Sequence, residues 1–277
     1  MVKPKLFFMI NSLHKGGAER VISTLCNRFY ARNFNVFIVC LNYSDQGYPI
    51  TEGVRIIYLL NRIKRSNALL MRIFYALATY LRLLILLIRE KPGCVIAFMT
   101  TSNLWAGVSC GLLGIQYIVS ERITPDLTIK KFSSPLRWLS SWVFKHAKAV
   151  VSPAKGVENC LRDIKGFANL SNYKVINNPV NTIDSCVPLP QHAVHNKPYI
   201  LAVGRLTHQK GFDYLIDSFK DVSDLHIDLL IIGQGREEQN LKDQIVRHGL
   251  SNRVFLLGVR DDLRAYYKQA EVFVLSS

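Results

Sequence analysis

The chain has 277 residues, of which 49% are hydrophobic, and it carries a formal net charge of +15. This length is sufficient for two folded domains, and the composition excludes an intrinsically disordered chain. The positive excess lies wholly in residues 1–196, because residues 197–277 hold eleven basic and eleven acidic side chains. Such an asymmetry indicates an anionic partner for the first part of the chain.

Short apolar runs in the first part predict a parallel sheet. The first run, residues 6–10, is too short for a signal peptide and leads directly into a glycine-containing turn. Runs of Val, Ile, Leu and Phe are typical of strands buried on both faces of a sheet. Helical spacing of apolar residues places a helix over residues 18–31. The predicted strands are Leu6–Ile10, Val36–Leu41, Val54–Leu59, Cys94–Phe98, Tyr117–Ser120, Ala149–Ser152 and Tyr173–Ile176.

A proline-containing stretch, residues 181–198, separates this series from a second one and is typical of an interdomain linker. We therefore predict an α/β fold with two facing, Rossmann-like, doubly wound domains, residues 1–190 and 197–277. Because residue 277 directly follows a strand, we expect the second domain to be incomplete. Its predicted elements are strands Tyr199–Val203, Ile227–Ile232, Val254–Leu257 and Val272–Leu275, and helices Phe212–Val222, Arg236–His248 and Asp262–Gln269.

The six cysteines and seven histidines show no spacing typical of a zinc site, and no two cysteines form a CxxC pair. Cysteines within apolar runs are typical of small buried hydrophobes in a reducing compartment. We expect no metal ion and no other cofactor.

The first predicted strand leads into a turn with paired glycines, Gly16 and Gly17. Glycines let the backbone approach a ligand closely, and the helix that follows presents free N–H groups and a positive dipole end. The turn suits a phosphate, although it lacks the spacing of a dinucleotide fold or a P-loop. A turn with a purely structural function is the alternative.

The first strand of the second domain leads into a loop that carries two cations, Arg205 and Lys210. Open α/β sheets bind ligands at the carboxyl ends of their strands, where this loop lies. Arginine offers phosphate oxygens a planar fork, and lysine offers a compact charge. A solvated basic loop is the alternative.

Four segments, in this order along the chain, resemble the glycosyltransferases of family 4, which have the GT-B fold. The segment IVSER at 118–122 further resembles bacterial members that add hexoses or N-acetylhexosamines to polyprenyl-diphosphate-linked sugars. The resemblance implies transfer of a sugar from a nucleotide diphosphate, with UDP as the expected nucleotide, to a lipid-linked or surface-polysaccharide acceptor, with retained anomeric configuration. The four segments are GGAER at 16–20, VGRLTHQKGFD at 203–213, IIGQG at 231–235 and VFLLGVRDD at 254–262.

The resemblance also implies roles for individual residues. It assigns the donor diphosphate to Arg205 and Lys210, and to Gly16 and Gly17 of the other domain. It places Gly233 and Gly235 beside the nucleotide, although an ordinary turn before a helix explains these two glycines equally well. Fixed cations stabilise the charge that develops on a departing diphosphate, and no metal is needed for that.

The chain departs from the family pattern in two places. The two glutamates that the family carries after the last strand are absent, because the chain ends at residues 274–277. We expect a truncated enzyme, with an inactive membrane- or partner-binding remnant as the alternative. Many relatives carry a histidine where this chain has Glu121 and Arg122. Glu121 either orients or deprotonates the acceptor, or it forms a Glu–Arg pair that anchors a loop.

Residues 62–91 combine basic side chains with a long apolar run. Arg72 and Arg82 interrupt the run, and each costs about 2.5–3.5 kcal/mol at a bilayer centre, which disfavours a span. The basic residues fall in one half of a helical projection, which predicts a helix that lies in the membrane interface. A helix that packs its apolar side on the sheet is the alternative. The predicted membrane-facing residues are Arg62, Lys64, Arg65, Arg72 and Arg82.

A second basic and aromatic stretch, residues 130–148, extends the same surface in this prediction. We expect a cytoplasmic protein bound peripherally to the inner face of the cytoplasmic membrane. Its expected partners are a nucleotide-sugar donor, a lipid-linked or polysaccharide acceptor and the anionic membrane surface. No nucleic-acid motif accompanies the basic patch. A nucleotide-binding oxidoreductase is disfavoured because no acidic residue ends the second strand, at residues 40–43.

Overall fold

The computed structural model describes residues 4–60, 69–179, 193–222, 226–260 and 262–276. Two compact units divide the chain, Met1–Val180 and Asn181–Ser277. We call them unit 1 and unit 2. The predicted membrane residues Arg62, Lys64 and Arg65 lie outside the described residues, as does most of the predicted linker.

Unit 1 contains a seven-stranded sheet in the order β3-β2-β1-β4-β5-β6-β7, with parallel neighbours throughout. The predicted strands of this unit are confirmed to within one residue at each end. The strands are β1 Lys5–Ile10, β2 Asn35–Cys40, β3 Arg55–Tyr58, β4 Cys94–Phe98, β5 Tyr117–Ser120, β6 Ala149–Ser152 and β7 Tyr173–Val175. The helices are α1 Gly17–Ala31, α2 Leu69–Glu90, α3 Thr100–Leu113, α4 Ser134–His146 and α5 Lys155–Arg162.

Strand β1 lies in the interior of this sheet, between β2 and β4, and is buried on both faces. Phe7 and Met9 pack into the core on one side, and Phe8 and Ile10 pack into the core on the other. Successive side chains of a strand point to opposite faces, so a strand with helices on both sides is apolar at every position. The continuous apolar run at 6–10 follows from this arrangement.

The order of strands in unit 1 creates a switch point beside β1. The chain proceeds from β1 to β2 on one side, and β4 pairs with the other side of β1. In open α/β sheets, ligands bind at the carboxyl ends of the strands where the winding direction reverses. For unit 1 this place is the end of β1 and of β4, where residues 11–17 and 99–103 begin.

Unit 2 contains a four-stranded parallel sheet in the order β10-β9-β8-β11. Its switch point lies between β8 and β11, because β9 and β10 extend the sheet on the other side of β8. Both sheets are those of an α/β protein. The strands are β8 Tyr199–Val203, β9 Asp228–Ile232, β10 Val254–Leu256 and β11 Val272–Phe273. The helices are α6 Phe212–Lys220, α7 Glu238–Arg247 and α8 Arg264–Gln269.

A buried carboxylate begins strand β9. Asp228 is 1% exposed, and its oxygens lie 2.7 Å from His195 Nε2 and 3.8 Å from Lys197 Nζ. Arg253 Nε donates a hydrogen bond to Asp228 Oδ1 at 3.1 Å. This cluster ties the segment before β8 to the amino-terminal end of the sheet, far along the strands from the switch point.

We expect Asp228→Asn to destabilise unit 2 by about 1–3 kcal/mol, because the substitution removes the buried carboxylate that His195, Lys197 and Arg253 contact. Urea unfolding followed by circular dichroism measures this change. Asp243→Asn on the exposed face of α7 is the matched control and should change stability by less than about 0.5 kcal/mol. Equal unfolding midpoints for the two variants would show that the cluster contributes nothing to stability.

Candidate functional site

The turn after β1 carries the paired glycines. Gly16 precedes α1 in an extended conformation, and no side chain caps this helix. A Cβ built on Gly16 would lie 2.3 Å from Glu19 Oε2, the end of a flexible side chain, whereas a Cβ on Gly17 would meet nothing within 4 Å. Packing within unit 1 therefore does not require glycine at position 17. The predicted phosphate contacts of both residues stay predictions.

A strained turn joins β4 to α3 at the same switch point. Met99 has φ 74° and ψ 150°. Residues other than glycine rarely adopt this backbone conformation, which costs on the order of 1–3 kcal/mol. Its N–H donates to the Ser120 carbonyl at 2.9 Å, and its carbonyl accepts from the Asn103 N–H at 2.9 Å. Ser102 Oγ donates to Asn11 Oδ1 at 3.0 Å. The start of α3 is thereby fixed against the ends of β1 and β5.

Glu121 follows β5 and lies inside this network. Thr100 Oγ1 lies 2.9 Å and 3.0 Å from its two carboxylate oxygens, and Asn103 Nδ2 donates at 3.5 Å. The backbone N–H groups of Arg122 and Ile123 also donate to the carboxylate. Glu121 is 0% exposed. Desolvation raises the pKa of Glu121 to about 7, and the hydrogen bond from Thr100 is the largest effect that opposes it.

Glu121 lies inside unit 1, with no exposed surface. Its contact with an acceptor, and a role in deprotonation, stay predictions. Among the described residues, Thr100 and Asn103 supply the side-chain hydrogen bonds to its carboxylate, and the Arg122 guanidinium interacts with it electrostatically. Glu121 thereby connects the loop after β5 to the start of α3.

The raised pKa of Glu121 has a testable consequence for stability. Between the ordinary value of 4.5 and about 7, the folded protein binds the proton more tightly than the unfolded chain. The stability that this group contributes is therefore complete below about pH 4.5 and is lost as the pH rises to about 7. The loss is on the order of 3 kcal/mol.

We expect this pH dependence to disappear in Glu121→Gln. Tryptophan fluorescence during urea unfolding measures it, since the chain's three tryptophans, 105, 138 and 142, all lie in unit 1. Glu158→Gln is the matched control, because hydrogen bonds from Arg162 and Lys155 lower the pKa of Glu158. The stability that Glu158 contributes is lost as the pH falls. The difference in unfolding free energy between Glu158→Gln and wild type should therefore change with pH in the opposite direction. If the unfolding free energies of wild type and Glu121→Gln varied in parallel from pH 4.5 to 7, the prediction would be wrong.

Arg122 is a cation beside this network that the sequence interpretation named only as the partner of Glu121. Its guanidinium carbon lies 4.8 Å from the centre of the Phe98 ring, and one terminal nitrogen donates to Asn178 Oδ1. Its Nε is buried and has no partner among the described residues. Desolvation lowers the pKa of Arg122 to about 10, so the side chain stays charged at neutral pH. In the sequence, the sign of this cation was a basic residue two positions after strand β5.

In unit 2, the structure brings Arg205 and Lys210 onto one loop at the switch point between β8 and β11. The loop ends in a 3₁₀ turn, His208–Lys210, and Gly211 adopts the left-handed conformation at φ 61°. Ser276 Oγ, which follows β11, donates to the Lys210 carbonyl at 2.7 Å. The carbon chain of the Lys210 side chain lies beside Gly204. A Cβ built on Gly204 would lie 3.6 Å from Lys210 Cδ. Arg205 is exposed, and no described residue pairs with its guanidinium.

Gly233 and Gly235 pack against the backbone of this loop. A Cβ on Gly233, which has φ 153°, would lie 1.8 Å from the Gly204 carbonyl oxygen. A Cβ on Gly235 would lie 2.1 Å from the Leu206 carbonyl oxygen. Close backbone packing thus explains both glycines without a ligand. Their contact with a nucleotide stays a prediction.

Helix α2 confirms the predicted helix. One apolar face packs on the sheet, as the alternative holds, while other apolar side chains stay exposed, so the position in a membrane interface stays a prediction. Thr79, Leu83 and Leu87 form its buried face, and Arg82 Nη1 donates to the Leu59 carbonyl at 2.7 Å. Arg72 is exposed. By length and composition alone, Leu70–Glu90 could cross a membrane. Within its apolar 18-residue window, 17% is buried. The apolar ridge, as we call the exposed side, consists of Leu70, Ile73, Phe74, Leu77, Leu81, Ile85 and Ile88.

Comparison with solved structures shows the GT-B fold. The chain aligns with Anabaena Alr3699/HepE in complex with UDP and glucose at a TM-score of 0.73 and 17% identity, covering 98% of this chain and 74% of that one. It aligns with the apo form of the lipopolysaccharide outer core galactosyltransferase WaaB at a TM-score of 0.65 and 19% identity, covering 99% and 74%.

Several curated relatives match over nearly the whole chain. The amylovoran biosynthesis glycosyltransferase AmsD of Erwinia amylovora is 28% identical over 287 residues, which cover 99% of this chain and 74% of the relative. The N-acetylgalactosamine-N,N'-diacetylbacillosaminyl-diphospho-undecaprenol 4-alpha-N-acetylgalactosaminyltransferase of Campylobacter jejuni is 25% identical, with the same coverage.

Two family models match consecutive parts of the chain. The model "Glycosyltransferase Family 4" matches residues 15–183, and the model "Glycosyl transferases group 1" matches residues 190–277. The first match alone spans more than half of the chain and includes the paired-glycine turn and Glu121. The second includes the loop with Arg205 and Lys210. This chain is a glycosyltransferase and belongs to glycosyltransferase family 4.

Proposed function

We propose that this chain transfers a hexose or N-acetylhexosamine from a UDP-sugar to a lipid-linked glycan, with retained anomeric configuration. The observation that carries the proposal is the pair of cations, Arg205 and Lys210, on one loop at the switch point of unit 2. Both residues belong to the loop that follows the carboxyl end of strand β8, and the carbon stem of Lys210 lies beside Gly204. This is the position at which open sheets bind phosphorylated ligands.

The chemistry of the leaving group supports this assignment. Cleavage of the bond between sugar and diphosphate leaves negative charge on the phosphate oxygens. Cations held in place before the reaction stabilise that charge more strongly in the transition state than in the bound donor. The proposed mechanism uses no metal ion. The preference for UDP is supported by the Anabaena protein, whose structures hold UDP, glucose and UDP-glucose.

The acceptor is proposed from the relatives and from helix α2. Relatives are named for amylovoran biosynthesis, for lipopolysaccharide core biosynthesis and for transfer to diphospho-undecaprenol-linked sugars. In this chain the apolar ridge of α2 is exposed, and the exposed Arg72 and Arg89 lie on the same helix. Apolar side chains flanked by cations favour binding at an anionic bilayer surface. We propose a peripheral position on the inner face of the cytoplasmic membrane.

A transfer assay tests the function. Radiolabelled UDP-glucose, UDP-galactose and the two UDP-N-acetylhexosamines are each incubated with the protein and with membranes of the source organism. We expect label from at least one donor in the lipid extract, unchanged by EDTA, and an α-anomeric product by NMR. Transfer from GDP-sugars alone would overturn the donor, and loss with EDTA would overturn the metal-free mechanism. Vesicle binding without transfer from any donor would favour the inactive membrane-binding alternative.

A further inference from the structure

An apolar groove lies on the outside of unit 1 between helices α2, α3 and α4. Its volume is about 220 Å³, room for roughly seven groups the size of a water molecule. All its lining side chains are half-buried, and none carries a charge. The rings of Tyr80 and Trp105 lie 5.8 Å apart at one side. The lining residues are Tyr80, Leu104, Trp105, Val108, Leu136 and Leu139.

A polar pocket adjoins this groove at Trp105. It has a volume of about 150 Å³ and lies at the carboxyl ends of β1 and β2, on the side of the switch point of unit 1. Trp105 lines both cavities, and the consecutive residues Thr79 and Tyr80 of α2 line the pocket and the groove respectively. The pocket is lined by Asn11, Leu41, Asn42, Thr79, Thr101 and Trp105.

We propose that the groove binds the first part of the hydrocarbon chain of the acceptor lipid, while the adjoining pocket holds a hydroxyl-bearing part of its head. This inference rests on the proposed function, since it presupposes a lipid-linked acceptor. One molecule with a polar head and an apolar tail can contact both cavities, because Trp105 lines each of them and Thr79 and Tyr80 are consecutive residues. An uncharged lining fits a hydrocarbon chain, and amide and hydroxyl groups fit a sugar.

The surroundings of the groove favour a lipid chain over a protein segment. Tyr80 lies on the flank of α2, between the buried face of this helix and the apolar ridge. A chain longer than the groove can therefore continue along a helix that we propose to lie in the bilayer surface. Burial of hydrocarbon against half-buried aromatic and aliphatic side chains removes apolar area from water on both partners. The groove thus orients the lipid and brings its head to the switch point.

Photo-crosslinking of the full chain tests this inference without any sugar transfer. The probe is a 15-carbon prenyl diphosphate with a diazirine in its first isoprene unit, and labelled residues are mapped by mass spectrometry. We expect label at residues 104–108 and 136–139. Excess unlabelled prenyl diphosphate should remove it, whereas equimolar phosphatidylglycerol should not. Leu139→Trp, which fills the groove, should lower labelling at least tenfold, and Val108→Phe from the facing helix should do the same.

Trp138→Ala is the matched control, because this neighbour of Leu139 is exposed and does not line the groove. It should label like wild type, and equal melting temperatures show that the filled variants are folded. Label spread along the apolar ridge and removed by phosphatidylglycerol would indicate general bilayer contact and overturn the proposal. Groove label that disappears as the chain dimerises would indicate a second copy as the occupant. Retained groove label with no sugar transfer would instead count against the proposed function.

Discussion

Replacing Arg205 and Lys210 together with alanine is expected to lower kcat/KM for sugar transfer by at least 10³-fold. Removal of one preorganised group that stabilises developing charge costs about 10²–10³-fold in rate, and the two cations lie on the same loop. The loss should appear mainly in kcat, because the charge on the leaving diphosphate grows in the transition state. Steady-state kinetics with the donor identified by the transfer assay measures both parameters.

The single variants separate charge from geometry at this loop. Arg205→Lys keeps the charge but loses the planar fork, so we expect an intermediate loss of about tenfold. Lys220→Ala removes an exposed cation at the end of α6 and serves as the control for a general change of charge. Because Arg205 is exposed, Arg205→Ala should leave the melting temperature unchanged. A double variant within threefold of wild-type activity would remove the diphosphate assignment.

Placing two glutamates in the apolar ridge, Leu77→Glu with Leu81→Glu, is expected to reduce binding to anionic vesicles at least 100-fold. These leucines are 56% and 50% exposed, so the substitutions leave the core of unit 1 intact. Burial of each leucine in the interface contributes about 1.5–3 kcal/mol, and each glutamate adds repulsion from anionic headgroups. Flotation with phosphatidylglycerol-containing vesicles measures the bound fraction.

Matched controls distinguish the ridge from a general increase of negative charge. Tyr214→Glu with Val246→Glu makes the same change of charge at exposed apolar positions of unit 2 and should float like wild type. Arg72→Glu should weaken binding in low salt and lose its effect in high salt. Arg82→Glu is a poorer test, because the Arg82 guanidinium also donates a hydrogen bond to the Leu59 carbonyl. Undiminished flotation of the Leu77 and Leu81 double variant would exclude the interfacial helix.

The strands and the α/β class could be predicted from the amino-acid sequence. A strand such as β4 is apolar at every position because both faces of the sheet are covered, and this pattern is local in sequence. The loop with Arg205 and Lys210 could also be identified in advance, since strand, loop and helix follow one another directly. The family was recognisable from the same contiguous segments.

The contacts of the side chains, by contrast, follow from the tertiary structure. Glu121 is buried because Thr100 and Asn103, on a helix earlier in the chain, close over its carboxylate. Gly233 approaches Gly204, and the face of α2 that packs on the sheet is the one with Leu83 and Leu87. Periodicity defines the faces of a helix but does not say which one meets the sheet. That choice depends on contacts between residues distant in sequence, which become neighbours only when the strands assemble in their order.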